Sequence, residues 1–145
     1  MRKLVTLLAA SAICALVLTA LSLAATQKTV WTAALSSGQE VPKQVVKNPP
    51  AHGLFKATLN GETLKWKLTF AKLTGPATMA HIHMAAKGKS GGVVVALCAP
   101  CTSGVTGTAT LTPAILSAFN KHLLYVNVHT AKNPNGEIRG QLARG

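Results

Sequence analysis

The chain has 145 residues, with 15 lysines and arginines against three acidic residues, a formal net charge of +12 and only 4% aromatic residues. Glu40, Glu62 and Glu137 are the only acids and there is no aspartate, so an enzyme built on a carboxylate pair or an aspartate-oriented triad has almost no material. One tyrosine and three phenylalanines cannot interleave with the basic residues as a nucleic-acid surface requires, so no nucleic-acid partner is expected; the charge fits an anionic cell-envelope surface or a merely solubilising exterior.

Met1-Arg2-Lys3 is followed by the uncharged run Leu4 to Leu23, which closes on the small-residue pattern Ser22-Leu23-Ala24. Residues 1–24 therefore read as a signal peptide cleaved after Ala24, and the protein is expected to be secreted or periplasmic. An uncleaved run of about 20 apolar residues would span a bilayer, and this is the one route by which a membrane enters the reading. Cys14 follows Ser11-Ala12-Ile13, which is not the setting of a lipoprotein cysteine. Residues 25–145, at +10 once Arg2 and Lys3 are gone, have the size of one domain.

Along this segment the hydrophobic period is two. Strands are expected at Val30–Leu35, Leu54–Leu59, Leu64–Phe70, Thr78–His83, Gly92–Leu97, Val105–Leu111, Leu123–Thr130 and Glu137–Leu142. The clearest is Leu64-Lys65-Trp66-Lys67-Leu68-Thr69-Phe70, apolar on one face and polar on the other. Asn60-Gly61 before it marks a tight hairpin turn. Pro42–Pro50 reads as a loop. The one helical stretch is Pro113–His122, capped by Thr112, with Ile115, Leu116 and Phe119 on one side. About eight short strands and one short helix predict an all-β, two-sheet sandwich or barrel, with the helix plugging one end.

Cys98-Ala-Pro-Cys101 is expected to be a local disulfide in an oxidising compartment. By chain entropy such a small loop adds only about 2 kcal/mol. A redox dithiol would want a helix N-terminus after the first cysteine, and here Thr-Ser-Gly-Val-Thr-Gly leads into a strand. Haem attachment would want histidine at Thr102, and zinc would want a second cysteine pair.

His81-Ile82-His83 places two imidazoles on one face of a strand, with Ile82 on the other. In Tyr125-Val126-Asn127-Val128-His129-Thr130 the valines belong inward, which turns Tyr125, Asn127 and His129 outward. If the two strands are neighbours, His81, His83 and His129 converge into a three-imidazole set with an open position, suited to copper or, alternatively, zinc. Tyr125 and Asn127, on the same face, and Glu40 in Gly38-Gln39-Glu40-Val41-Pro42 are expected to support these ligands by hydrogen bonds. The competing reading is that the histidines bond to loop backbone and Glu40 steadies a turn. Met84 falls inward with Ile82, and His52 and His122 read as surface residues. No catalytic residue is assigned.

The segments Gly38–Pro42, Leu59–Leu64, Ala80–His83, Tyr125–Thr130 and Asn133–Leu142, in this order, resemble the CHRD family, the domain first described in chordin. The resemblance runs from about Leu35 to Leu142. It implies an exported, immunoglobulin-like antiparallel β-sandwich, a stand-alone domain in many bacterial proteins. The family's His-Ile-His and Val-His-Thr motifs fall on His81, His83 and His129. Met84 departs from the glycine that often follows the second histidine. Growth-factor binding in chordin is associated with cysteine-rich modules, which this chain lacks, so antagonism of signalling is not carried over. The His-x-His strand is also similar to that of copper/zinc superoxide dismutases, but their aspartate-containing zinc loop has no counterpart, so dismutase activity does not follow. The expectation is a non-enzymatic binding domain, holding copper or zinc on its histidine face; alternatively a structural or adhesive envelope protein that meets anionic cell-surface polymers through its basic surface.

Overall fold

A computed structural model describes residues 27–43 and 50–145 of the chain. The signal-peptide reading of residues 1–24 lies outside the described residues, as does most of the Pro42–Pro50 loop.

Among the described residues nine strands form in chain order: β1 (Thr29–Ser36), β2 (His52–Asn60), β3 (Thr63–Ala71), β4 (Ala77–Met84), β5 (Val93–Cys98), β6 (Val105–Thr110), β7 (Leu124–Thr130), β8 (Ile138–Gln141) and the short β9 (Ala143–Arg144). All pairings are antiparallel, in the order β5-β4-β7-β8-β1-β2-β3-β6, with β9 added to β1. The path is continuous, but β8 and β1 share only the Ser36–Arg139 pair, and β5 and β6 at its two ends approach each other. The β-sandwich is therefore nearly closed, with β5-β4-β7-β8 forming one half and β1-β2-β3-β6 the other.

Period two explains the core. Trp31, Phe55, Leu64 and Leu68 from one half meet Ile82, Val95, Val126, Val128 and Ile138 from the other in a single cluster. Burying a side chain of this size contributes roughly 1.5–3 kcal/mol. The helix α1 (Pro113–Asn120) starts where Thr112 Oγ1 accepts from the Ile115 N–H, and its Phe119 packs edge-on to Trp31 at 5.0 Å between centroids. It stops two residues before the expected end, because His122 turns to a φ of 55°.

The β2–β3 hairpin differs by one residue from the sequence reading. Asn60 is paired with Thr63, so the turn is Gly61-Glu62, and of the turn residues only Gly61 has a positive φ, at 59°. That arrangement belongs to a II′ rather than an I′ turn. Cys98 and Cys101 are bridged, and the Cys101 N–H donates to the Ala77 carbonyl, so the staple fastens the turn after β5 to the start of β4. Among the described residues no helix is long and apolar enough to cross a membrane.

One strand departs from the sandwich pattern. Every residue of β7 is buried, on both faces. Val126 and Val128 face the core, while Tyr125, Asn127 and His129 are covered by connecting segments: Glu40 reaches Asn127, Gly91 reaches Tyr125 and Pro134 reaches His129. The face that reads as outward is outward from the core but closed to water.

Candidate metal centre

The site is built by the β4–β7 pairing, so the two histidine strands are neighbours. In register, His81 lies opposite Asn127, His83 opposite Tyr125 and Met79 opposite His129. Ile82, fully buried, fixes the strand's rotation and turns His81 and His83 to the outer face. His129 sits diagonally from His81. The three rings cluster, with centroids 5.5 Å apart for His81–His83, 5.1 Å for His81–His129 and 5.9 Å for His83–His129. One nitrogen from each lies within 4.8 Å of the other two.

Hydrogen bonds decide which nitrogens are available. A carbonyl only accepts, so His83 Nδ1–H donates to the Gly91 carbonyl at 3.0 Å and His129 Nδ1–H to that of Pro134 at 3.0 Å. Both rings are thereby held as the tautomer with a lone pair on Nε2. His129 Nε2 points at His81 Nδ1, 3.2 Å away. His83 Nε2 is buried with no hydrogen-bond partner. Buried acceptors are seldom left unpaired, and metal-ligating histidines habitually donate their other N–H to a backbone carbonyl, as these two do. Two imidazole nitrogens bound tetrahedrally to one ion at 2.0–2.1 Å stand about 3.3 Å apart, close to the His81–His129 separation.

Burial also keeps the cluster uncharged. Desolvation pushes His129 down to about 4, with neighbouring His81 and His83 acting in the same direction against the Pro134 hydrogen bond. His81 and His83 are lowered as well, in both cases chiefly by desolvation. Neutral imidazole is the form that ligates metal.

The expected supporting residues occupy distinct places. Tyr125 stacks on His83, centroids 4.9 Å apart and planes 9° apart, and its Oη meets the Gly91 N–H at 3.2 Å; the Arg139 guanidinium lies 3.4 Å over its other face. Glu40 touches no histidine. It accepts from Asn127 Nδ2 at 3.1 and 3.0 Å, and burial raises it to about 7 against the lowering effects of Asn127 and Arg139. The hydrogen bond expected from Glu40 to a histidine is thus absent, because the Ser37–Gln39 turn delivers its carboxylate to the next strand position, Asn127. Met84 packs against the core, while His52 is exposed and His122 tilts over Trp31.

Sequence reasoning missed the fastening of the Ala131–Glu137 loop. Glu137 is 3% exposed; its carboxylate accepts from the Thr74 N–H at 2.6 Å, Thr74 Oγ1 at 2.7 Å, Thr130 Oγ1 at 2.6 Å and Asn133 Nδ2 at 3.0 Å. Burial alone would raise its pKa, but these donors hold it below the usual carboxylate range. This network places the Pro134 carbonyl over His129. The only signal of it in the sequence was the Asn133-Pro134-Asn135-Gly136 turn directly after the histidine strand.

Residues 31–142, most of the chain, match the family model described as CHRD domain. No curated protein and no solved structure gave a match.

Proposed function

The chain belongs to the CHRD-domain family, and on that premise we propose that it is an exported domain that binds a copper ion through His81, His83 and His129, with zinc the alternative metal. The observation that carries this reading is His83 Nε2: a buried lone pair with no partner, on a ring whose other nitrogen is fixed by Gly91, facing two more neutral imidazoles. Copper is favoured because imidazole suits it and it heads the divalent affinity order. Export rests on the N-terminal segment, Met1 to Ala24.

The reading is one of binding rather than turnover. Turnover at a metal-bound water is assisted by a general base beside it. Glu40 is engaged with Asn127, Glu137 with Thr74, Thr130 and Asn133, and Glu62 lies exposed in the β2–β3 turn.

Calorimetric titration of the purified protein with copper(II) under a weak competing chelator tests this, alongside zinc. One ion per chain, bound tightly and lost in His81→Ala/His83→Ala/His129→Ala but kept in His52→Ala/His122→Ala, is the expected result. Circular dichroism checks that the variants fold. Binding equal in all three proteins, or none in the unaltered one, would overturn the proposal.

A further inference from the structure

The lysines look scattered along the chain, yet the fold collects four of them on the outer face of the β1-β2-β3-β6 half, away from the histidines. Lys56 and Lys67 are directly paired across β2 and β3, and Lys65, two residues from Lys67, pairs with Thr58. Lys28, just before β1, lies with Lys65 beside a shallow depression whose floor includes Thr58 and Asn60, and Lys56 and Lys67 border a second. All four are exposed. Across β3 the row continues on β6, where Lys67 meets Thr106 and Lys65 meets Thr108.

Like charges set directly opposite each other across a ladder are destabilising, and among the described residues no acidic side chain stands beside the pair. Glu40 and Glu137 are buried under the other half, and Glu62 sits in the β2–β3 turn at one end of the face. The chain has no further acidic side chain. Strand geometry spaces Lys65 and Lys67 by about 6.6 Å along β3 and neighbouring strands by about 4.8 Å. Successive charges along an extended phosphodiester chain have a similar spacing, and the compact lysine ammonium binds phosphate as a point charge. Trp31, Phe55 and Trp66 point into the core, so the face offers no ring on which a nucleic-acid base could stack.

We infer that the outer face of β1-β2-β3-β6 binds a linear polyol-phosphate polymer, Lys28, Lys56, Lys65 and Lys67 meeting successive phosphates and the threonine hydroxyls the polyol between them. The binding is independent of the histidine cluster.

The test is binding of a glycerol-phosphate polymer to the purified protein in the presence of EDTA, so that a metal on the histidines plays no part, over a series of salt concentrations. Binding should weaken with salt. Lys56→Gln/Lys65→Gln/Lys67→Gln should lower affinity at least about tenfold and flatten the log–log salt slope by about 2, at roughly 0.7 per phosphate contact on a single strand. Lys87→Gln/Lys121→Gln/Lys132→Gln, with the same net charge but substitutions off this face, should change affinity less than about twofold. An equal loss in the two variants would reduce the effect to net charge and overturn the inference. So would absence of binding, or binding of single-stranded DNA or of a polyuronate as tight as that of the polyol phosphate.

Discussion

His81 Nδ1 and His129 Nε2, on adjacent strands and 48 residues apart in sequence, stand 3.2 Å from each other. With Pro134 holding the proton on His129 Nδ1, His129 Nε2 can only accept, so in the metal-free protein His81 Nδ1–H donates to it. On the proposed reading, a metal ion held by His81, His83 and His129 would take the place of that proton. An ion bound only to the folded state stabilises it, by about 2.7 kcal/mol at a free concentration 100 times Kd. Copper at that level should raise the thermal midpoint by several degrees, and excess chelator should reverse the rise. In His129→Ala the midpoint should not respond; an equal rise there would place the metal elsewhere.

The same burial gives the metal-free fold a pH dependence. His129 titrates near 4 in the folded chain against 6.5 when unfolded, so between these values the unfolded state holds more protons. Stability is therefore fully present above 6.5 and lost as the pH falls towards 4, by at most about 3 kcal/mol from this residue. His81 and His83 act in the same direction. Urea unfolding from pH 7 to pH 4.5 should show a falling midpoint, with a smaller fall in His129→Gln. Parallel curves for the two proteins would contradict the assignment.

Glu40 runs the other way. Its folded value of about 7 exceeds the ordinary 4.5, so its contribution is present below 4.5 and disappears as the pH rises through 7, where the buried carboxyl must ionise. Glu40→Gln keeps an acceptor for Asn127 Nδ2 and removes the charge. It should stabilise the protein by about 1–3 kcal/mol at pH 8 relative to its effect at pH 4.5. A substitution that destabilises equally at both pH values would mean that the two-oxygen contact with Asn127, rather than burial of the charge, governs this position. Because Glu40 opposes the histidines between 4.5 and 6.5, the histidine dependence is steepest in the Glu40→Gln background.

The strands and the convergence of His81, His83 and His129 were legible because both follow from period-two alternation, and Ile82 and Val128 set the rotation of β4 and β7 by being apolar. The Cys98–Cys101 disulfide was legible from the spacing of the two cysteines together with the expectation of export. What alternation cannot express is the covering of an outer face. The segments carrying Glu40, Gly91 and Pro134 have no periodic signature, and their hydrogen bonds to Asn127, Tyr125 and His129 join positions as far as 87 residues apart. The same holds for Lys56 and Lys67, which only the hairpin register brings face to face.

Gly136 shows how closely that cover fits. Its φ is 126°, and a Cβ there would stand 2.4 Å from Asn127 Oδ1 and 2.8 Å from Glu40 Oε2. Gly136→Ala must therefore move either the Asn127–Glu40 pair or the loop that carries Pro134. Backbone strain alone costs about 1–3 kcal/mol, and the collision adds to it, so a loss above about 2 kcal/mol in urea unfolding is expected. Gly88 is the control: its φ is also positive, at 75°, but a Cβ there meets nothing within 4 Å, so Gly88→Ala should carry the backbone cost without the collision. The two also separate stability from ligand positioning. If the loop shifts, the Pro134 carbonyl no longer fixes the His129 tautomer, and loss of such a partner typically costs 10–100-fold in metal affinity. Gly136→Ala should thus bind copper at least about tenfold more weakly under conditions where it is fully folded, while Gly88→Ala binds as the unaltered protein does. Unchanged copper affinity in folded Gly136→Ala would show that the Asn127–Glu40 pair, rather than the loop, takes up the collision, or that the metal centre does not depend on the Pro134 carbonyl.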